Sequence, residues 1–141
     1  MNDAYLLDTS AILALTDNEE GADTVEQFLE KAKSKRVSLH FSAMTAMELY
    51  YVCLGERGEE DADRLLLLVR ALPVTELPLE DSLILPAAKF KAQHKVSVAD
   101  AWIAAAAAVH NLILIHKDPE FERLRGSISL LSLPYKASKK M

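Results

Sequence analysis

The sequence is poor in cysteine, glycine and aromatic residues, and each shortage excludes a class of protein. Cys53 is the one cysteine in 141 residues, so an internal disulfide framework is excluded. The four glycines fit neither the dinucleotide-binding fingerprint nor the P-loop, and the four histidines show no zinc-ligand spacing. Because only 6% of the residues are aromatic, the core must be mainly aliphatic.

Long hydrophobic runs and a secretory leader pattern are also missing. The longest unbroken apolar run, residues 101–109, is far shorter than the roughly 20 residues that a transmembrane helix needs. The first ten residues, MNDAYLLDTS, contain acids and no basic n-region. With half of its residues hydrophobic and 26% charged, the composition is typical of a globular domain. We therefore expect a cytoplasmic protein with no membrane segment.

The net charge of −5 argues mildly against a simple nucleic-acid-binding protein, because phosphate contacts need lysine and arginine. A cluster of four acids in one metal site would by itself account for most of that charge. The net charge therefore does not exclude a metal-dependent nuclease.

Hydrophobic periodicity alternates between strand and helix along the chain. Strands are predicted at residues 4–7, 37–41, 74–77, 112–115 and 128–133. Helices are predicted at 21–35, 43–54, 60–72, 79–94 and 98–110, with short helices after residue 8 and from residue 119. Pro86 should kink or split its helix. This alternation predicts one α/β domain over residues 1–135, with a parallel sheet covered on both faces. The basic tail, residues 136–141, should be frayed from about Pro134.

Four acids fall at predicted strand ends or early in the helices that follow: Asp8, Glu48, Asp100 and Asp118. Ligands of parallel α/β sheets bind at the carboxyl ends of the strands, so these four acids should face the same edge. Hard cations such as Mg²⁺ prefer carboxylate oxygens, and a bound ion can activate water for attack on a phosphate. The pattern favours metal-dependent phosphodiester hydrolysis without a nucleophilic side chain.

Helix capping is the alternative explanation for each acid taken singly. Asp8 and Asp118 stand where N-caps are expected, and Glu48 and Asp100 each lie three residues after a hydroxyl residue, the spacing of a capping box. However, Glu48 and Asp100 are embedded in apolar sequence, where an unpaired charge is costly. Four acids at one edge are harder to explain as four separate caps.

The segments LLDTSAIL, MELYY, SVADAWIAAAA and KDPEFERL, in this order, resemble the PIN domain family, in particular its short toxin nucleases of VapC type. The resemblance extends from Tyr5 to about Leu133. It implies a three-layer α/β/α fold with a five-stranded parallel sheet. It also implies a Mg²⁺- or Mn²⁺-dependent endoribonuclease, the toxin of a type II toxin–antitoxin pair, with RNA as substrate, an antitoxin partner and a homodimer.

The resemblance also implies roles for individual residues. Asp8, Glu48 and Asp100 take the catalytic metal-binding positions, and Asp118 takes a more peripheral fourth. Thr9 and Ser10 match supporting hydroxyl residues. Two other functions remain open: an RNA- or protein-binding module with little catalysis, and an RNA-maturation nuclease without an antitoxin.

One residue departs from the family pattern, and one basic run is not part of the implied metal site. His116 stands two residues before Asp118, where many members have a threonine or serine that would orient the fourth acid. A basic run, Lys89, Lys91 and Lys95, precedes the Asp100 segment. Its lysines contact the RNA backbone or form a solvated helix surface, and the sequence does not distinguish these two interpretations.

Overall fold

A computed structural model describes residues 3–136, which form one five-stranded sheet. The strands are β1 (Asp3–Leu7), β2 (Val37–Ser42), β3 (Thr75–Leu77), β4 (Ile113–His116) and β5 (Leu130–Ser132). They lie in the order β3-β2-β1-β4-β5, and every neighbouring pair is parallel. The predicted α/β fold is confirmed.

Six α-helices connect the strands. They are α1 (Thr9–Thr16), α2 (Ala22–Lys33), α3 (Ala43–Arg57), α4 (Glu59–Arg70), α5 (Ile84–Gln93) and α6 (Val98–Val109). Two 3₁₀ helices, Asp81–Leu83 and Pro119–Leu124, precede α5 and β5. Within residues 3–136, every helix is too short or too polar to cross a bilayer.

Alternating side chains of the central strand β1 divide the core into two layers. Leu6 packs with the residues of α5 and α6, whereas Tyr5 and Leu7 pack with those of α1 to α4. Such alternation follows from the twofold repeat of a strand, and it places helices on both faces of the sheet. The alanines of α6 are buried at residues 104–107, where their small side chains let the helix lie close to the sheet.

The helix predicted at residues 79–94 is divided in the structure into the 3₁₀ helix Asp81–Leu83 and α5. Pro86 lies in the first turn of α5, where an N–H would have no intrahelical partner. The fifth strand is shorter than predicted. The amide of Ile128 donates to the carbonyl of Leu124 (3.2 Å) in the turn at Gly126, so Ile128 is not available to the strand.

The chain after β5 is held in place as far as Lys136. The Tyr135 hydroxyl donates to Glu122 Oε2 (2.5 Å), and Lys136 Nζ lies 3.0 Å from Glu19 Oε2. Fraying from Pro134 was therefore wrong for Tyr135 and Lys136. Residues 137–141, the rest of the expected basic tail, lie outside the described residues.

Candidate metal centre at the carboxyl edge of the sheet

Asp8 lies between β1 and α1 and is the N-cap of α1. Its Oδ2 accepts hydrogen bonds from the Ser10 backbone N–H (3.0 Å) and from Ser10 Oγ (2.5 Å). The side chain is only 3% exposed, and Oδ1 has no hydrogen-bond partner among residues 3–136. One oxygen of Asp8 thus caps the helix while the other stays available for a ligand.

Ser10 joins the ends of β1 and β4. Its hydroxyl donates to Asp8 and accepts the backbone N–H of Lys117 (2.8 Å), the first residue after β4. Ser10 therefore fixes the Asp8 carboxylate relative to the loop that leads to Asp118. The supporting role that the family resemblance implies for Ser10 stays a prediction.

Thr9 holds the carboxylate of Glu48. Thr9 Oγ1 lies 2.6 Å from Glu48 Oε1 and 3.0 Å from Thr45 Oγ1. Because an ionised carboxylate only accepts, the single hydroxyl proton of Thr9 goes to Glu48, and the buried Thr45 donates to Thr9 in turn. Thr9, the first residue of α1, thereby orients Glu48, which lies on α3.

The capping-box interpretation fails for Glu48 and holds in part for Asp100. Ser42 is the N-cap of α3 and accepts from Met44 N, so Thr45 already lies inside the helix. Helix α3 begins at Ala43 because Ser42 is both the last residue of β2 and the N-cap of α3. In contrast, Ser97 does cap α6 and accepts from the backbone N–H of Asp100 (3.0 Å).

Asp100 carries a strongly perturbed carboxyl group. Burial, as the largest cause, and the charges of Asp8, Asp118 and Glu48 together raise the pKa of Asp100 to about 7, against the lowering effect of the Ser97 hydrogen bond. Burial likewise raises the pKa of Asp8 to about 6 against the lowering effect of the Ser10 hydrogen bonds, with Glu48 and Asp118 adding repulsion. The four predicted acids are therefore close enough to act on one another electrostatically.

Asp118 and Glu120 complete a compact group of oxygens with Asp100. Asp118 is the N-cap of the 3₁₀ helix, where its Oδ1 accepts the Glu120 backbone N–H (3.0 Å). One carboxylate oxygen from each of Asp100, Asp118 and Glu120 lies within 4.8 Å of the other two. Glu120 was missed from sequence, since an acid in the first turn of a helix is common for dipole reasons alone.

His116 contacts this group through Asp118, and the basic run lies on α5 and in the loop after it. The His116 side chain is wholly buried, and its Nδ1 accepts the backbone N–H of Asp118 (3.2 Å). Burial lowers the pKa of His116. Lys91 Nζ donates to the carbonyl of Val96 (2.9 Å), which steadies the loop before α6, whereas Lys89 and Lys95 are exposed.

Comparison with known proteins identifies the family. The model of the PIN domain matches residues 5–127. The chain belongs to the PIN domain family. A comparison with curated protein sequences finds no match.

Solved structures share the fold of this PIN domain. A DNA-bound VapBC complex from Salmonella typhimurium superimposes with a TM-score of 0.74 at 21% identity, over 94% of this chain and 98% of that chain. VapBC-1 from nontypeable Haemophilus influenzae superimposes with a TM-score of 0.70 at 25% identity, over 92% of this chain and 97% of that chain. VapC20 of Mycobacterium tuberculosis, described as a toxin that cleaves the sarcin–ricin loop, gives 0.65 at 16% identity, over 84% and 92%.

Proposed function

We propose that this PIN domain is a Mg²⁺- or Mn²⁺-dependent endoribonuclease that hydrolyses RNA phosphodiester bonds, and that it is the toxin of a type II toxin–antitoxin pair. The observation that carries the proposal is the convergence of carboxylates from four separate segments at one edge of the sheet. The members are Asp8, Glu48, Asp100, Asp118 and, from the structure, Glu120.

The donor set fits a hard divalent cation. It consists of carboxylate oxygens, and the buried Asp8 Oδ1 has no protein partner among the described residues. Burying such oxygens beside other negative charges is unfavourable unless a cation offsets them. We propose that Asp8, Glu48 and Asp100 hold the ion and that Asp118 and Glu120 complete the site.

The protein's own groups position the acids and the substrate. Ser10 and Thr9 fix the carboxylates of Asp8 and Glu48, so that little reorganisation remains when a phosphate arrives. A bound ion supplies positive charge that activates water and offsets the charge of the phosphate. Glu120 lies on the exposed side of the group, with its Oε1 3.5 Å from Arg123 Nη1.

Partners follow from the neighbours' descriptions and remain proposals for this chain. Several neighbours are described as toxin–antitoxin complexes or systems, which supports an antitoxin partner. The cytoplasmic location stays a prediction. An antitoxin arginine could pair with two carboxylate oxygens at once and so block the site. A small protein that co-purifies from the native host would support this partner, and its absence would contradict it. The predicted homodimer is tested by light scattering of the purified protein.

RNA cleavage by the purified protein tests the activity directly. We expect cleavage of RNA with Mn²⁺ or Mg²⁺ and none with EDTA. Restoration by excess Mn²⁺ after EDTA is the internal control. A folded, metal-supplied protein that leaves every RNA substrate intact would support the alternative of a binding module with little catalysis.

Glu120→Gln tests the acid that only the structure revealed. Removing one charged oxygen from the Asp100, Asp118 and Glu120 group should raise the Mn²⁺ concentration for half-maximal cleavage by about tenfold, the typical effect of losing support at a metal site. Glu26→Gln, an exposed acid of α2, is the matched control. Equal Mn²⁺ requirements in both variants would remove Glu120 from the site.

Lys95→Ala tests the proposed RNA contact of the basic run. We propose that Lys89 and Lys95 contact the backbone, whereas the Lys91 ammonium is already bonded to Val96. Loss of one phosphate contact should weaken RNA binding and lower the salt dependence by about 0.7 in the log–log slope for a single strand. Fluorescence anisotropy in EDTA at several salt concentrations measures this. Lys33→Ala, at the end of α2, is the control, and an identical slope for the two variants would exclude a contact by Lys95.

A further inference from the structure

A wholly buried histidine lies directly behind the acidic group. His116 is the last residue of β4 and is 0% exposed. Its ring lies edge-on to Phe121 (centroids 5.3 Å apart) and tilted against Tyr135 (6.0 Å). Nδ1 lies 3.2 Å from the backbone N of Asp118, and Nε2 has no hydrogen-bond partner among residues 3–136. In this arrangement Nδ1 is the acceptor, so the ring proton of the neutral imidazole is on Nε2.

We infer that His116 is a positioning residue, whose Nδ1 holds the Asp118 backbone N–H and thereby sets the direction of the Asp118 carboxylate. The inference rests on the proposed metal site, because positioning matters only if Asp118 binds an ion. His116 itself contacts neither RNA nor metal.

Two hydrogen bonds fix Asp118 from opposite sides. Its N–H is held by His116, and its Oδ1 is held by the backbone N–H of Glu120. The 3₁₀ helix that supplies this second bond is itself anchored by the buried side chains of Phe121 and Leu124. Oδ2 of Asp118 takes part in neither of these bonds and is left for a ligand.

Packing alone does not explain an imidazole at this position. The ring packs against Phe121 and Tyr135, so an aliphatic side chain would suit the site without burying a polar Nε2 that has no hydrogen-bond partner among residues 3–136. The polar contact of the His116 side chain in the structure is the one with Asp118 N. An orienting role of this kind is typical of the groups behind metal ligands.

A matched pair of variants separates positioning from packing. In His116→Asn, the amide Oδ1 can lie where Nδ1 lies and accept from Asp118. The leucine of His116→Leu has nearly the same shape as asparagine but no hydrogen-bond acceptor. Mn²⁺ binding is measured by electron paramagnetic resonance of the free ion, and thermal melts in EDTA report stability separately. We expect His116→Leu to bind Mn²⁺ about tenfold more weakly than wild type and His116→Asn to stay close to wild type.

The two explanations predict opposite orders. If His116 only packs, the asparagine variant should be the poorer in both stability and Mn²⁺ binding, because it puts an unneeded amide into an apolar environment. Mn²⁺ affinity that is equal in the two variants, or lower for His116→Asn, would overturn the inference. Wild-type protein that binds no Mn²⁺ would overturn the proposed function together with this inference, so the two failures are distinguishable.

A measurement on the wild-type protein does not depend on either variant folding. In ¹⁵N-labelled protein, a coupling across the hydrogen bond between the Asp118 amide nitrogen and His116 Nδ1 should be detectable by NMR. Its presence supports the inference. A protonated Nδ1, which could not accept from Asp118, would overturn it.

Discussion

Asp100→Asn should lower Mn²⁺-dependent RNA cleavage at least tenfold, which corresponds to about 1.4 kcal/mol in the barrier. Asp100 is 8% exposed, belongs to the compact oxygen group with Asp118 and Glu120, and is coupled electrostatically to Asp8. Asparagine keeps the shape of the side chain but removes the charge that attracts the cation. The backbone N–H that Ser97 caps is unchanged, so α6 should still begin at the same residue.

Asp23→Asn is the matched control for this effect. Asp23 is also an acid in the first turn of a helix, α2, but it is exposed and lies outside the acidic group. Its substitution should leave kcat/KM for RNA unchanged. Near-normal cleavage by a folded Asp100→Asn variant would remove Asp100 from the site. Asp8→Asn and Glu48→Gln should show losses of at least the same size as Asp100→Asn.

Without metal, Asp100→Asn should be more stable than wild type at pH 8. Asp100 has a pKa of about 7 in the folded protein against 3.8 for the ordinary group, so folding holds an ionised Asp100 in an unfavourable place. A group with a raised pKa costs stability in full above the folded-state pKa, and the cost fades as pH falls from about 7 toward about 4. After allowance for solvent screening, the cost is on the order of 2 kcal/mol. Its removal should raise the Tm in EDTA by about 5 °C.

The repulsion among the acids also predicts how the Tm depends on metal and on pH. Mn²⁺ should raise the Tm of wild type, because the ion binds the folded site and not the unfolded chain, and it should raise the Tm of Asp100→Asn less. The advantage of the variant in EDTA should shrink between pH 8 and pH 5. Melts of wild type, Asp100→Asn and Asp23→Asn, each with EDTA and with Mn²⁺, measure all of this.

Helix capping predicts a different pattern. An ordinary capping acid favours its charge near the helix N-terminus, so Asp100→Asn would then be neutral or mildly destabilising, as Asp23→Asn should be. A wild-type Tm that Mn²⁺ does not change, together with a lower Tm for Asp100→Asn in both conditions, would refute the acidic site.

Helix capping does not exclude the proposed metal binding in this molecule. Asp8 and Asp118 are both genuine N-caps, and each uses one carboxylate oxygen for the backbone. For Asp8, the other oxygen is the buried one without a partner among the described residues. The helix starts thus hold these carboxylates in fixed directions, which a flexible surface acid would not have.

The sequence by itself determined the order of strands and helices and the edge at which Asp8, Glu48, Asp100 and Asp118 meet. Hydrophobic periodicity is a local property, and the ends of parallel strands lie at one edge whatever the details of packing. That is why β1 to β4 were predicted within one or two residues and why the four acids could be assigned to one edge without a structure. Their binding of a metal stays a prediction.

Only the tertiary structure decided the contacts between segments far apart in sequence. The bond from Thr9 to Glu48 joins residues from α1 and α3, and the approach of Glu120 to Asp100 joins a 3₁₀ helix to α6. No local pattern distinguishes Glu120 from a surface acid, and the sequence marked His116 only as a departure from the family pattern, without its contact. Their proposed roles depend on the position of the segment after β4 relative to α6. The packing of the whole core sets this position.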